Sequence, residues 1–191
     1  MKIAVFSGSF NPLHIGHKAI VEHLTEKDGF DMVYLIVSPK NPLKSTISSD
    51  SAAERFQNAL NVLSRYPRLK VKVDDIELGM PEPHYTIKTL DALKKREPEN
   101  DFVLIVGADN LDNFSLWRDY RRILLDYGLA VFPRDNIDRN RSILKLINKS
   151  SSNDAELVKN IRLIDAPLVD ISSTYIREAI IRGEDITSIL I

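Results

Sequence analysis

The 191-residue sequence has no cysteine, which excludes disulfide staples and thiolate chemistry together. It also lacks a charge excess. Lysine and arginine number 26 against 27 aspartates and glutamates, so no overall field favours nucleic acid or an anionic membrane, and a phosphate site must be built locally. Long apolar runs are missing too: the longest, such as 33–37 and 102–106, fall far short of the ~20 residues of a membrane span and read as core strands. No apolar secretory segment opens the chain, and with cysteine absent the expected compartment is the cytoplasm. Tryptophan occurs once, at Trp117.

What is present suits one sizeable core. Apolar residues make up 43% of the chain, no interdomain linker or internal repeat is visible, and a single domain over 1–191 is expected. Strands are expected at 3–6, 31–37, 69–73, 102–106, 129–132 and 161–164, and the continuous apolar run at 3–6 predicts a strand buried on both faces. Amphipathic stretches alternate with them. Ala19, Ile20, Val21 and Leu24 form one stripe, and Ala52, Phe56, Ala59, Leu60 and Leu63 a second, started by a Ser51/Glu54 capping box. Thr86 is placed to cap a helix carrying Ile87, Leu90 and Leu93. A helical stretch from Gly107 carries Leu111, Phe114, Trp117, Tyr120, Ile123 and Leu124 inward. Further helices are expected around Ile143, Leu144 and Ile147, and at Ile176, Ala179 and Ile180, capped by Ser172 or Ser173 and ended by Gly183. Alternating strands and helices imply an α/β class, a doubly wound, Rossmann-like parallel sheet.

The chain is organised around Ser7-Gly8-Ser9-Phe10-Asn11-Pro12-Leu13-His14-Ile15-Gly16-His17, a turn between the first strand and first helix. A helix start offers unpaired N–H groups and the positive end of a dipole, and His14 and His17, three residues apart, can face the same way. Gly8 and Gly16 allow the backbone close to an anionic oxygen. Two histidines alone read more readily as surface residues at a turn, and no third metal ligand lies near. This loop, the Gly107 loop and the Ile171 segment each follow a strand, which places all three on the carboxyl edge of the sheet, where such folds bind ligands.

The string GSFNPLHIGH resembles the GxFxPxHxGH signature of the HxGH nucleotidyltransferases, and Ile171-Ser172-Ser173-Thr174-Tyr175-Ile176-Arg177 resembles their ISSTxIR motif. Between them, Pro83-His84-Tyr85-Thr86 and Gly107-Ala108-Asp109-Asn110 with Phe114 and Trp117 resemble the nicotinate mononucleotide adenylyltransferase branch. The resemblance implies adenylyl transfer from ATP to nicotinate mononucleotide with release of pyrophosphate, in NAD biosynthesis.

It further implies His14, His17 and Arg177 as catalytic residues. ATP would meet Gly8, Ser9, Phe10, His14, Gly16, His17, Lys44, Ile171, Ser173, Thr174 and Arg177. The mononucleotide would meet Ser9, Tyr85, Thr86, Gly107, Asp109 and Trp117, the indole stacking on the pyridine ring; core packing is the other reading of Trp117, and helix capping the other reading of Asp109. Mg²⁺ would arrive on the ATP phosphates, with no protein ligand. The implied partners are these small molecules, not nucleic acid or membrane, with self-association left open. The sequence departs from the pattern at Leu43, where histidine is frequent, and at His84, where serine is common. Rival readings are the same fold acting on nicotinamide mononucleotide or phosphopantetheine, and a nucleotide-binding sensor without turnover.

Overall fold

In the computed structural model, residues 1–39, 51–134, 138, 143, 154–168 and 171–191 are described. Lys44 and Leu43 and the helix expected at Leu144 and Ile147 lie outside the described residues. The chain forms two compact units, Met1–Phe6 with Tyr85–Leu168, and Ser7–His84 with Val169–Ile191.

In the first unit the strands lie in the order β1 (Lys2–Gly8), β4 (Asp101–Gly107), β5 (Leu129–Phe132) and β6 (Ile161–Leu163), β1 contributing its residues up to Phe6. All pairings are parallel. Ile3 sits opposite Phe102, Leu104 opposite Leu129 and Leu129 opposite Ile161. Ile3, Ala4 and Val5, and all four residues of β5, are buried, as continuous apolar runs require in a parallel sheet covered on both faces. Helix α3 (Thr86–Arg96) buries Ile87, Leu90 and Leu93 as expected, but Tyr85 is its N-cap and no side chain caps it. Thr86 is therefore the first helical residue, one position too late to cap.

The stretch after β4 is not one helix. Ala108–Leu116 is a 3₁₀ helix, Tyr120–Arg122 a single α turn (α4) and Ile123–Tyr127 a π turn. The reason is in the spacing: Ala108, Leu111 and Phe114 are buried at intervals of three, which matches the 3.0-residue turn of a 3₁₀ helix and drifts off an α-helical face. Asp119, at φ 52°, makes the break before α4. Leu111, Phe114, Ile123 and Leu124 face inward as expected, whereas Trp117 and Tyr120 are half-buried.

In the second unit β2 (Met32–Val37) lies beside β3 (Val71–Asp74), parallel, with Val33 opposite Val71. At the end of β1, the Gly8 carbonyl accepts from the Ser38 N–H at 2.9 Å. Helix α1 (Ile15–Glu26) buries Gly16, Val21 and Leu24. Helix α2 (Ala52–Leu63) begins at the expected capping box: Ser51 Oγ accepts from the Glu54 N–H at 3.2 Å, and Glu54 Oε2 accepts from the Ser51 N–H at 2.7 Å. Of the expected stripe Ala59 is buried, Ala52, Phe56 and Leu63 are half-buried and Leu60 is exposed, while Arg55, not expected there, is buried. The last helix, α5 (Ser173–Ile181), is capped by Ser172, whose Oγ accepts from Tyr175 N–H. It ends at Gly183, φ 73°, with Gly183 N–H on Ile180 C=O and Glu184 N–H on Ala179 C=O, the paired bonds of a Schellman turn. Ile176 and Ala179 are buried; Ile180, expected beside them, is exposed.

Candidate active site

The Ser7–His17 turn leaves the carboxyl end of β1 and enters α1 at His14, the N-cap. The His14 carbonyl accepts from the N–H groups of His17 (2.9 Å) and Lys18 (3.3 Å). In return the His14 N–H donates to His17 Nδ1 at 3.2 Å, so His17 occupies the position of the acid in a capping box. A ring nitrogen that accepts carries no proton. Nε2 is then the protonated nitrogen of neutral His17, and the histidine is a donor there. The two imidazoles stack at 3.7 Å between centroids, tilted by 36°, and Phe10 meets His17 edge-on at 5.1 Å. His14 is buried and His17 half-buried. By helix geometry the first-turn N–H groups of Ile15 and Gly16 have no intrahelical acceptor.

Phe10 holds a left-handed backbone at φ 46° and is buried. A Cβ on Gly8 would lie 3.1 Å from the Phe10 ring, so glycine here makes room for that ring as well as for a ligand. Ser9 is exposed.

The second motif reaches the turn through side chains. Ser173 Oγ donates to the Pro12 carbonyl at 3.0 Å, and Arg177 Nη1 donates to the Asn11 carbonyl at 2.7 Å. Arg177 Nη2 donates to Thr174 Oγ1 at 3.1 Å. Residues 161 and 166 positions apart in sequence thus hold one loop. Ile171 is half-buried, two residues before the helix. One residue was not foreseen. Arg55 of α2, buried, donates from Nη1 to Ser9 C=O (2.7 Å) and from Nη2 to Ser38 C=O (2.9 Å) and Pro39 C=O (3.2 Å). Its only sequence signal is a charge four residues before Ala59, on the buried face. His84 is buried with Nε2 on the Met80 carbonyl at 3.0 Å, holding the 80–84 turn.

In the first unit, Gly107 ends β4 and Asp109 follows in the 3₁₀ helix, exposed. Asp109 caps nothing; its Oδ1 lies 3.7 Å from Arg134 Nε. A Cβ on Gly107 would sit against that carboxylate oxygen and 3.0 Å from Arg134 Nε, so with glycine there the carboxylate and guanidinium lie directly over the strand end, and a larger residue would move both side chains aside. Arg134 is the second residue the sequence reading missed. Trp117, half-buried, packs one side of its ring on Phe114 at 5.2 Å, tilted by 46°. Tyr85 and Thr86 are half-buried at the start of α3, with Lys88 Nζ 5.5 Å from the Tyr85 ring centroid.

Among the described residues no group of three or more His, Asp or Glu is gathered to hold a metal ion, and no helix is long and apolar enough to cross a membrane.

Comparison with known proteins gives the class first. Residues 5–179 match the Cytidylyltransferase-like family, and the chain is a nucleotidyltransferase. A Cytophaga hutchinsonii protein described as "Probable nicotinate-nucleotide adenylyltransferase" is 39% identical over 180 residues, 94% of this chain and 86% of its own length. A Flavobacterium johnsoniae protein of the same description is 38% identical over 192 residues, 100% of this chain and 92% of its own. The solved Plasmodium falciparum nicotinic acid mononucleotide adenylyltransferase, complexed with NaAD, has a TM-score of 0.71, covers 97% of this chain and 87% of its own, and is 16% identical, a likeness of fold. The chain belongs to the bacterial nicotinate-nucleotide adenylyltransferase family of the HxGH nucleotidyltransferase superfamily.

Proposed function

We propose that the chain transfers the adenylyl group of ATP to nicotinate mononucleotide, giving nicotinate adenine dinucleotide and pyrophosphate, a step of NAD biosynthesis. The observation that carries this is the His17 ring, whose Nδ1 accepts from the His14 N–H at the start of α1 and leaves Nε2–H as a fixed donor. A phosphate oxygen of the mononucleotide attacks the α-phosphorus of ATP. The new O–P bond forms as the bond from that phosphorus to the bridging oxygen breaks, and the leaving pyrophosphate takes the electron pair. No side chain has to act as nucleophile. Charge shifts among phosphoryl oxygens, so the protein's part is positioning and electrostatics.

His17 donates from Nε2 to an α-phosphate oxygen as charge develops, with His14 and the first-turn N–H groups of α1 beside it. Gly8, Ser9, Phe10 and Gly16 shape the backbone around the triphosphate. Arg177 holds the Asn11 carbonyl through Nη1 and offers its remaining N–H groups to the leaving pyrophosphate with Thr174. Ser173 contributes through the Pro12 carbonyl it holds, Ile171 leads into this helix start, and Lys44 supplies a further positive charge. Trp117 offers a ring face to the pyridine, Asp109 and Gly107 meet the ribose or phosphate, and the N–H groups of Tyr85 and Thr86 face the pyridine carboxylate. Nucleotidyltransferases of this fold bind nucleotides with Mg²⁺; with no carboxylate among these ATP-side residues, the ion would be held by the phosphates and offset their charge.

The test is an assay of pyrophosphate release with ATP and, separately, nicotinate mononucleotide, nicotinamide mononucleotide and phosphopantetheine, with the nucleotide product identified. Stoichiometric pyrophosphate and nicotinate adenine dinucleotide are expected. ATP binding without turnover would identify a sensor instead, and turnover on phosphopantetheine alone would reassign the acceptor.

A further inference from the structure

We infer that Arg55 is a positioning residue for adenylyl transfer: its buried guanidinium fixes the peptide between Ser9 and Phe10 inside the phosphate-binding turn. Arg55 is 3% exposed. A buried charge is costly unless it is hydrogen-bonded, and its position in the first turn of α2 sets a cation at the unfavourable end of the helix dipole. Three carbonyls accept from it, Ser9 at 2.7 Å, Ser38 at 2.9 Å and Pro39 at 3.2 Å, and the arginine fork reaches them from two separate nitrogens where an ammonium would have to reach all three from one.

The Ser9 bond has a directional consequence. In a trans peptide the C=O and the following N–H point opposite ways, so a Ser9 carbonyl drawn toward Arg55 turns the Phe10 N–H to the other side of the loop. Phe10 itself stands at φ 46°, a sparsely populated conformation that persists only where its surroundings impose it. From there its ring fills the space over Gly8 and meets His17 edge-on at 5.1 Å. Arg55 therefore acts on the reacting end of the turn without touching substrate, through Ser9, Phe10 and then the His17 ring.

This rests on the adenylyl-transfer reading, and the experiment keeps the two apart. Arg55→Lys, which retains the charge and loses the fork, is compared with the wild type in three measurements: Tm, steady-state kcat and KM with ATP and nicotinate mononucleotide, and amide hydrogen exchange of the peptide covering 6–17. The variant is expected to stay folded, with Tm within ~5 °C, while kcat falls ~10- to 100-fold. KM for ATP should change less than about threefold, and exchange should quicken at residues 9–11. Unchanged kcat and exchange overturn the inference whatever the Tm, and so does a fall in kcat with unaltered exchange. If Arg55→Lys does not fold, Arg55→Gln is read by the same criteria. A wild type that makes no dinucleotide refutes the adenylyl-transfer reading, and the exchange result then decides alone whether Arg55 holds the turn.

Discussion

The turn after β1 and the stretch after β4 both begin where a strand ends, yet they are held in different ways. The first is tied from a distance. Arg55, Ser173 and Arg177 reach the carbonyls of Ser9, Pro12 and Asn11 from helices far along the chain, so its shape depends on the whole of its unit. The second is built largely from its own residues, with Arg134 reaching Asp109 from later in the chain: Ala108, Leu111 and Phe114 bury a 3₁₀ face, Trp117 N–H returns to the Phe114 carbonyl at 3.0 Å, and Asp109 lies over Gly107. In the proposed reaction the difference follows the chemistry. Charge moves on the phosphates, where donors must be fixed before reaction, because reorganisation at that moment adds to the barrier. The pyridine ring and ribose do not change, and a locally folded surface is enough to hold them.

The largest expected effect breaks the tied turn at its reacting end. His17→Ala should lower kcat ~100-fold or more, the loss typical of one preorganised donor, with a much smaller change in KM for ATP; steady-state kinetics decide it, and undiminished kcat would remove His17 from the chemistry. Next is acceptor choice. The start of α3 offers N–H donors with Lys88 close by, which suits a carboxylate, whereas a carboxamide leaves its own NH₂ to be satisfied. The resulting preference for nicotinate over nicotinamide mononucleotide should be ~10- to 100-fold in kcat/KM, measured side by side.

The smallest effect belongs to the helix that carries Arg55. The Ser51 backbone N–H, and then its hydroxyl, hold the Glu54 carboxyl below the usual carboxylate range. A carboxyl depressed in the folded state stabilises above its unfolded pKa, and that contribution is lost as pH falls through the folded value. Protection of the 51–55 amides should therefore be constant near neutrality and decline below about pH 4. In Glu54→Gln this decline should be absent.

Much of this difference between regions was invisible in the sequence, for a physical reason. The inner strands were legible because parallel strands buried on both faces leave uninterrupted apolar runs, as at 33–37 and 129–132. The Ser51/Glu54 box was legible because both of its bonds span three residues. The HxGH turn was recognised from residue types, but not the division of its donors. Ser173 and Arg177 were expected to face phosphate, and the structure commits one donor of each to the carbonyls of Pro12 and Asn11. Arg55 and Arg134 escaped because side chain to backbone contacts across 46 residues, or an ion pair from 134 to 109, leave no periodic trace. The break in the helix after Gly107 lies in the spacing of three from Ala108 through Leu111 to Phe114, which a single expected helical stretch did not take into account.

The most direct test of the account crosses one variant from each region with both substrates. For Arg177→Ala and Trp117→Phe, KM is measured for ATP at saturating nicotinate mononucleotide, and for nicotinate mononucleotide at saturating ATP. Arg177→Ala should raise KM for ATP ~10-fold or more and leave that for the mononucleotide within about twofold. Trp117→Phe should do the reverse, raising KM for the mononucleotide by about three- to tenfold, since a smaller ring remains to stack. Both variants shifting both constants alike, or Trp117→Phe altering neither while lowering Tm, would contradict the assignment of the β1 turn to ATP and of the β4 stretch to the pyridine nucleotide.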